Sequence, residues 1–109
     1  MIALDNLASV HQTATQAAAK ATEDFLAKHG DRDMCGFAWV TVNEKGSTKL
    51  GRALKAVGFK PAYRGGLQLW NPSGSWTQCI TAKEEGAEAY VRVLRAAGIE
   101  NAYAGSRLD

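Results

Sequence analysis

Cysteine and histidine are scarce in this chain of 109 residues, which has two of each. Cys35 and Cys79 stand far apart in sequence and form no CxxC pair. That excludes a disulfide framework and the usual zinc spacings. His11 and His29 fall on what reads as one helix, 18 residues apart. Such a spacing is about five turns and about 27 Å, so one subunit cannot bring both rings to one ion. Cys35 follows His29, with Asp31 and Asp33 between them. A thiol nucleophile needs a base in hydrogen-bond contact and a third group to orient it, and this loop demands neither. Cys35 reads instead as a small buried hydrophobe. No motif pairs two carboxylates for acid–base work. Tyr63-Arg64-Gly65-Gly66 lacks the P-loop lysine and the dinucleotide spacing. The residues therefore predict no metal, no cofactor and no catalytic centre.

Other absences concern location. No apolar run approaches the length of a membrane span. The first residues lack the basic and apolar segments of a secretory leader. Both thiols are expected to be reduced, in the cytoplasm, with no membrane partner. Internal repeats and low-complexity linkers are also missing.

Acids are missing from the middle of the chain. From Lys45 to Lys83 there are seven basic residues and no Asp or Glu, and all eleven acids lie outside that window. Segregation of this kind predicts a basic surface that faces an anion. The remaining composition, 46% hydrophobic and 22% charged, is ordinary for one globular domain.

The pattern along the chain predicts a long helix over residues 5–29, capped by Asp5 and stopped by Gly30. Leu7, Val10, Ala14, Ala17, Ala18, Ala21 and Phe25 share its inner face. An alanine-rich face lets a partner approach closely but buries little, so a second subunit is expected to cover part of it. Residues 36–42 read as a central strand, apolar on both faces and covered on both. Ser47 or Thr48 caps a short helix over 49–58, with Lys49, Arg52 and Lys55 along one flank. Phe59 to Gly65 is a loop. Residues 66–81 read as a hairpin about the turn Asn71-Pro72-Ser73-Gly74. Leu67 and Leu69 share one face of it, Gln68 and Trp70 the other, joined by Trp76 and Gln78 from the second arm. Thr81-Ala82-Lys83-Glu84 is a capping-box pattern that opens a helix to about Ala97, supported by a Glu88–Arg92 ion pair. A last strand covers 101–105, followed by a tail.

After the first helix this order is strand, helix, strand, strand, helix, strand. It predicts an α+β, ferredoxin-like βαββαβ sandwich with an additional long N-terminal helix, in one domain over residues 1–109 with its core at 36–105.

Cys35-Gly36-Phe37-Ala38-Trp39-Val40-Thr41-Val42 resembles the main signature of the RNA-recognition motif. It departs in two ways: Cys35 stands where a basic residue belongs, and this strand is the first of the fold rather than the third. The blocks Cys35-Gly36-Phe37-Ala38-Trp39-Val40, Leu69-Trp70-Asn71-Pro72-Ser73-Gly74 and Ala102-Tyr103-Ala104-Gly105-Ser106-Arg107-Leu108-Asp109 resemble a family of small bacteriophage-encoded proteins. That resemblance spans roughly residues 25–109. It implies an accessory role in the host cytoplasm, such as counteracting a host defence, and supplies no catalytic residues.

The expected function is non-enzymatic binding of an anionic, base-containing ligand, either a phosphate-bearing small molecule such as a nucleotide signal or single-stranded nucleic acid. Lys49, Arg52, Arg64 and Arg107 would meet phosphates, Tyr63 and Trp70 would stack on a base, and Gln68, Asn71 and Gln78 would select it. A further alternative is a protein-interaction module that inhibits a host protein. A homo-oligomer is expected in each case.

Overall fold

A computed structural model describes residues 6–30, 34–63 and 65–108. Its elements are α1 (Leu7–His29), β1 (Gly36–Val42), α2 (Lys49–Ala56), β2 (Lys60–Pro61), β3 (Leu67–Trp70), α3 (Ile80–Ala96) and β4 (Ala102–Leu108). The four strands form one sheet in the order β2-β3-β1-β4, and each neighbouring pair is antiparallel. The molecule is thus an α+β domain of three helices and a four-stranded sheet, with a long N-terminal helix.

Alternation along β1 divides its side chains between two environments. Ala38, Val40 and Val42 are buried in the core with Leu54, Phe59, Leu67, Tyr90, Leu94 and Ala102. Phe37, Trp39 and Thr41 point to the other side of the pleat. β1 is central, as expected, but only one of its faces lies under helices. The other carries aromatic rings that cover one another, so an apolar run on both faces did not require two helical layers.

α1 spans about 35 Å at helical rise, close to the 41 Å long axis of the domain. Its partner is α3 of the same chain. Ala14, Ala18 and Thr22 form the buried stripe, and the Thr22 hydroxyl donates to the Ala82 carbonyl at 2.8 Å. The close approach occurs at Gly86, where an added Cβ would lie 2.5 Å from Thr22 Oγ1 and 3.1 Å from the Ala18 carbonyl oxygen. Small residues on both helices let their backbones meet, so this stripe needs no second subunit to bury it. The helix has Asn6 at its N-cap; Asp5, expected there, lies outside the described residues. Gly30 ends it, its N–H donating to Leu26.

Thr48 caps α2 as expected, accepting from the Gly51 N–H at 2.9 Å. Four other expectations require correction. First, the hairpin's second arm is not a strand. Residues 74–78 have no regular structure, and Trp76 is almost fully exposed. The hydroxyls of Ser73, Ser75 and Thr77 accept from the N–H groups of Ser75, Thr77 and Cys79, each two residues on. These local bonds satisfy donors that a strand would have offered to a neighbour. The strand on the outer side of β3 is instead β2, a two-residue piece in what read as a loop, with Lys60 opposite Gln68. Pro61 suits this edge position because it has no N–H to donate.

Second, α3 begins at Ile80 with Cys79 at its N-cap and no side-chain capping bond. Glu84, the expected closing member of a capping box, instead accepts from the Ser106 hydroxyl on β4. Third, β4 runs through Leu108 and not to Gly105, because its whole length pairs with β1 from Val42–Ala102 to Gly36–Leu108. Fourth, among the described residues the ion pair is Lys20–Asp24, not Glu88–Arg92.

Candidate functional site: the open face of the sheet

Registry sets the open face in cross-strand rows. Trp70, Trp39 and Gly105 lie side by side on β3, β1 and β4. Gln68, Thr41 and Tyr103 form the adjacent row. On the opposite side of the tryptophan row, Phe37 stands beside Arg107. Rows of this kind bring side chains on neighbouring strands into contact.

The aromatic rings form a continuous cluster. Trp39 and Trp70 have centroids 4.9 Å apart with planes tilted by 39°. Phe37 meets Trp70 edge to face at 6.1 Å. Trp39 leans over the backbone of Gly105, where an added Cβ would sit 2.5 Å from the indole nitrogen. Glycine at this position therefore allows the ring to lie down on the sheet. Trp70 remains 50% exposed and Tyr103 likewise, so each offers a free ring surface.

Positive charge gathers at the Phe37 end. The Arg107 guanidinium carbon lies 5.7 Å from the Phe37 centroid and Lys83 Nζ 5.4 Å from it, within the range of cation–π attraction. Lys83 is buried and donates to the Gly36 carbonyl at 3.0 Å. It holds the start of β1, whereas the exposed Arg107 is free to meet an anion.

Trp39, Thr41, Gln68, Trp70, Tyr103 and Arg107, with Ala62, Tyr63 and Gly65, line a depression of about 560 Å³. Tyr63 is fully exposed there. Beyond β4 a second groove, of about 310 Å³, runs along α3 and carries Glu84, Glu85 and Glu88. Its acids disfavour a phosphate. The two depressions thus differ in charge, acidic along α3 and bordered by Arg107 on the sheet.

The structure brings together Tyr63, Gln68, Trp70 and Arg107 from the residues expected at a site. It separates the others. Lys49 and Arg52 are exposed on α2, which packs through Leu50, Ala53 and Leu54 on the core side of the sheet. Asn71 takes a left-handed conformation, φ 48°, and its amide donates to the Ser75 carbonyl at 3.0 Å, so it holds the turn. Gln78 is exposed in the irregular segment, and its carbonyl accepts from Gly36. Arg64 lies outside the described residues. The basic window is likewise not one surface, since α2 carries its lysines on one side of the sheet and Lys83 is buried.

Sequence reasoning omitted Trp39, Phe37, Tyr103 and Thr41 from the site. The alternation of β1 and its likeness to an RNA-binding strand were the available signals. Of the two cysteines, Cys79 is buried but Cys35 is exposed, against the expectation that it is a core residue. His11 sits on α1 against Tyr90, its Nδ1 2.6 Å from the hydroxyl, while His29 packs against Phe25. Neither approaches the sheet's rings.

Fold and face together define an α+β domain whose antiparallel sheet is helix-covered on one side and aromatic on the other. Comparison with family models, curated proteins and solved structures finds no match to this chain.

Proposed function

We propose that the open sheet face binds single-stranded nucleic acid, without catalysis. Bases stack on Trp70, Trp39 and Phe37, Gln68 and Thr41 meet their edges, and Arg107, Tyr63 and Lys60 meet the backbone. The observation that carries this reading is the Phe37–Trp39–Trp70 cluster, three rings in contact on an uncovered sheet. A large aromatic ring left half in water, as Trp70 is, is suited to stacking, which is worth about 1–3 kcal/mol per base. The adjoining rings also favour a strand over a free nucleotide, because a strand gains from successive stacks and successive phosphates.

The ferredoxin-like arrangement belongs to the same proposal. The order β2-β3-β1-β4, with every neighbour antiparallel and a helix after β1 and after β3, supports it. Resemblance to phage-encoded proteins supports an accessory role in a host cell for this binding activity.

The test is a titration of the intrinsic tryptophan fluorescence with short single-stranded DNA and RNA at several salt concentrations. Quenching by oligomers is expected, with affinity falling as salt rises because phosphate contacts release counterions. Mono- and cyclic nucleotides should bind far more weakly. Tight, salt-insensitive binding of a nucleotide would replace the strand with a small ligand. No response from either would end the reading and leave a protein partner for the aromatic face.

A further inference from the structure

The two cysteines, distant in sequence, are direct partners in space. Residues 35 and 79 form an isolated antiparallel bridge just before β1 and just before α3. Its bonds flank the pair: the Gly36 N–H donates to Gln78 at 3.2 Å and the Ile80 N–H to Met34 at 2.9 Å. The cysteines exchange no backbone bond with each other, so they occupy a non-hydrogen-bonded site of an antiparallel pair. At such sites the Cα atoms are about 4.5 Å apart and the side chains project to the same side. A disulfide requires Cα atoms about 4.4–6.8 Å apart.

We propose that Cys35 and Cys79 are a dithiol pair that closes to a disulfide by exchange with a low-molecular-weight disulfide. Their unequal exposure sets the order of events, since Cys35 is exposed and Cys79 fully buried. Cys35, as its thiolate, attacks one sulfur of the small disulfide. A new S–S bond forms, the old one breaks, and one small thiolate leaves. Cys79 then gives up its proton to solvent and attacks the Cys35 sulfur, displacing the second small thiolate. The protein loses two electrons and two protons, and the small disulfide is reduced to two thiols.

The product ties the start of β1 to the start of α3 across a loop of about 45 residues, long enough for a large effect on the unfolded chain. Two bonds already hold the second sulfur's segment: the Cys79 N–H donates to the Thr77 hydroxyl at 3.2 Å, and the Cys79 carbonyl accepts from Lys83 at 3.2 Å. Closure therefore needs little backbone movement.

The experiment is incubation of the full chain with oxidised glutathione, followed by denaturation, alkylation and non-reducing peptide mapping. The wild type should pass through a glutathione adduct on Cys35 to an internal Cys35–Cys79 link. Its melting temperature should rise on the order of 10 °C and return after reduction with dithiothreitol. Cys79→Ala should stop at the Cys35 adduct, and Cys35→Ser should leave Cys79 free for alkylation after denaturation. A wild-type protein that accumulates a stable Cys35 adduct, or forms dimers through Cys35, would overturn the proposal. Rapid modification of Cys79 in Cys35→Ser would overturn the order of attack.

Discussion

The two faces of the sheet are made by the same three strands and obey opposite rules. Under the helices β1 presents Ala38, Val40 and Val42, flanked by Leu67 and Ala102, all at most 1% exposed. Across the pleat it presents Phe37, Trp39 and Thr41, flanked by Gln68, Trp70, Tyr103 and Arg107. The small aliphatic side serves stability: it admits helices closely and leaves its side chains no freedom. Arrangement on the aromatic side is not explained that way, because a ring left 50% exposed, as Trp70 is, forgoes much of its burial energy. The difference separates residues that hold the fold from residues the fold holds out. It also predicts how substitutions should divide.

The largest effect should come from the covered side. Gly86→Val puts a branched side chain where even a Cβ lies 2.5 Å from Thr22 Oγ1 and 3.0 Å from Ser73 Cβ. Either α1 moves off α3 or the helix bends, at a cost of about 3 kcal/mol or more. Urea denaturation should show the loss, while the folded fraction keeps its affinity for oligonucleotides. An equally stable Gly86→Val protein would mean that α1 is only loosely attached.

Trp70→Ala should reverse that division. The ring leaves an exposed position, so stability should fall by less than about 1 kcal/mol. Affinity for a single strand should fall by about 1–3 kcal/mol, or roughly 5- to 150-fold, as expected for one lost stack. Parallel unfolding and binding curves would check both. A large loss of stability with affinity unchanged would make Trp70 a structural residue and erase the contrast.

Gly105→Ala sharpens the comparison within the open face. The added methyl collides with the Trp39 indole, not with the core. The ring should rotate away from β4 and toward solvent, because a side chain yields more readily than the paired backbone. A red-shifted tryptophan emission with a stability loss of about 1 kcal/mol is expected, together with weaker strand binding. Unchanged emission would show that Trp39 has another place to go within the cluster.

How much of this was legible in the sequence follows from range. Period-two alternation marked the two faces of β3, and the Thr48 cap and the Gly30 stop are local signals that the structure repeats. The turn at Asn71 was equally legible, but not what followed it. Ser73, Ser75 and Thr77 alternate as strand residues do, and their hydroxyls spend that alternation on their own backbone. Only the partner strand distinguishes the two outcomes, and β2 is too short to announce itself. The site was half visible for a similar reason. Trp70 and Gln68 stood out beside a turn, whereas Trp39 was hidden in a run that reads as core. Its exposure depends on where the helices pack, which no window of sequence contains. Cys35 and Cys79 were placed together by the same long-range pairing.

The smallest expected effect belongs to the polar contact between α1 and α3. His11 and Tyr90 meet at 2.6 Å on the covered side. Burial raises the Tyr90 pKa above its ordinary value and lowers that of His11, so both groups are neutral at pH 7. The unfolded chain takes up the His11 proton as pH falls through about 6.5, while the folded chain resists until its lower pKa is reached. Between those two values the unfolded state binds more protons, and stability falls with falling pH. Above about pH 7 His11 is neutral in both states and contributes no slope. The melting temperature should therefore decline from pH 7 toward pH 5, and His11→Gln should flatten that decline while keeping a polar group near the Tyr90 hydroxyl. An unaltered slope in the variant would assign the pH dependence to other groups, and Trp70→Ala, on the opposite face, should leave it unchanged in any case.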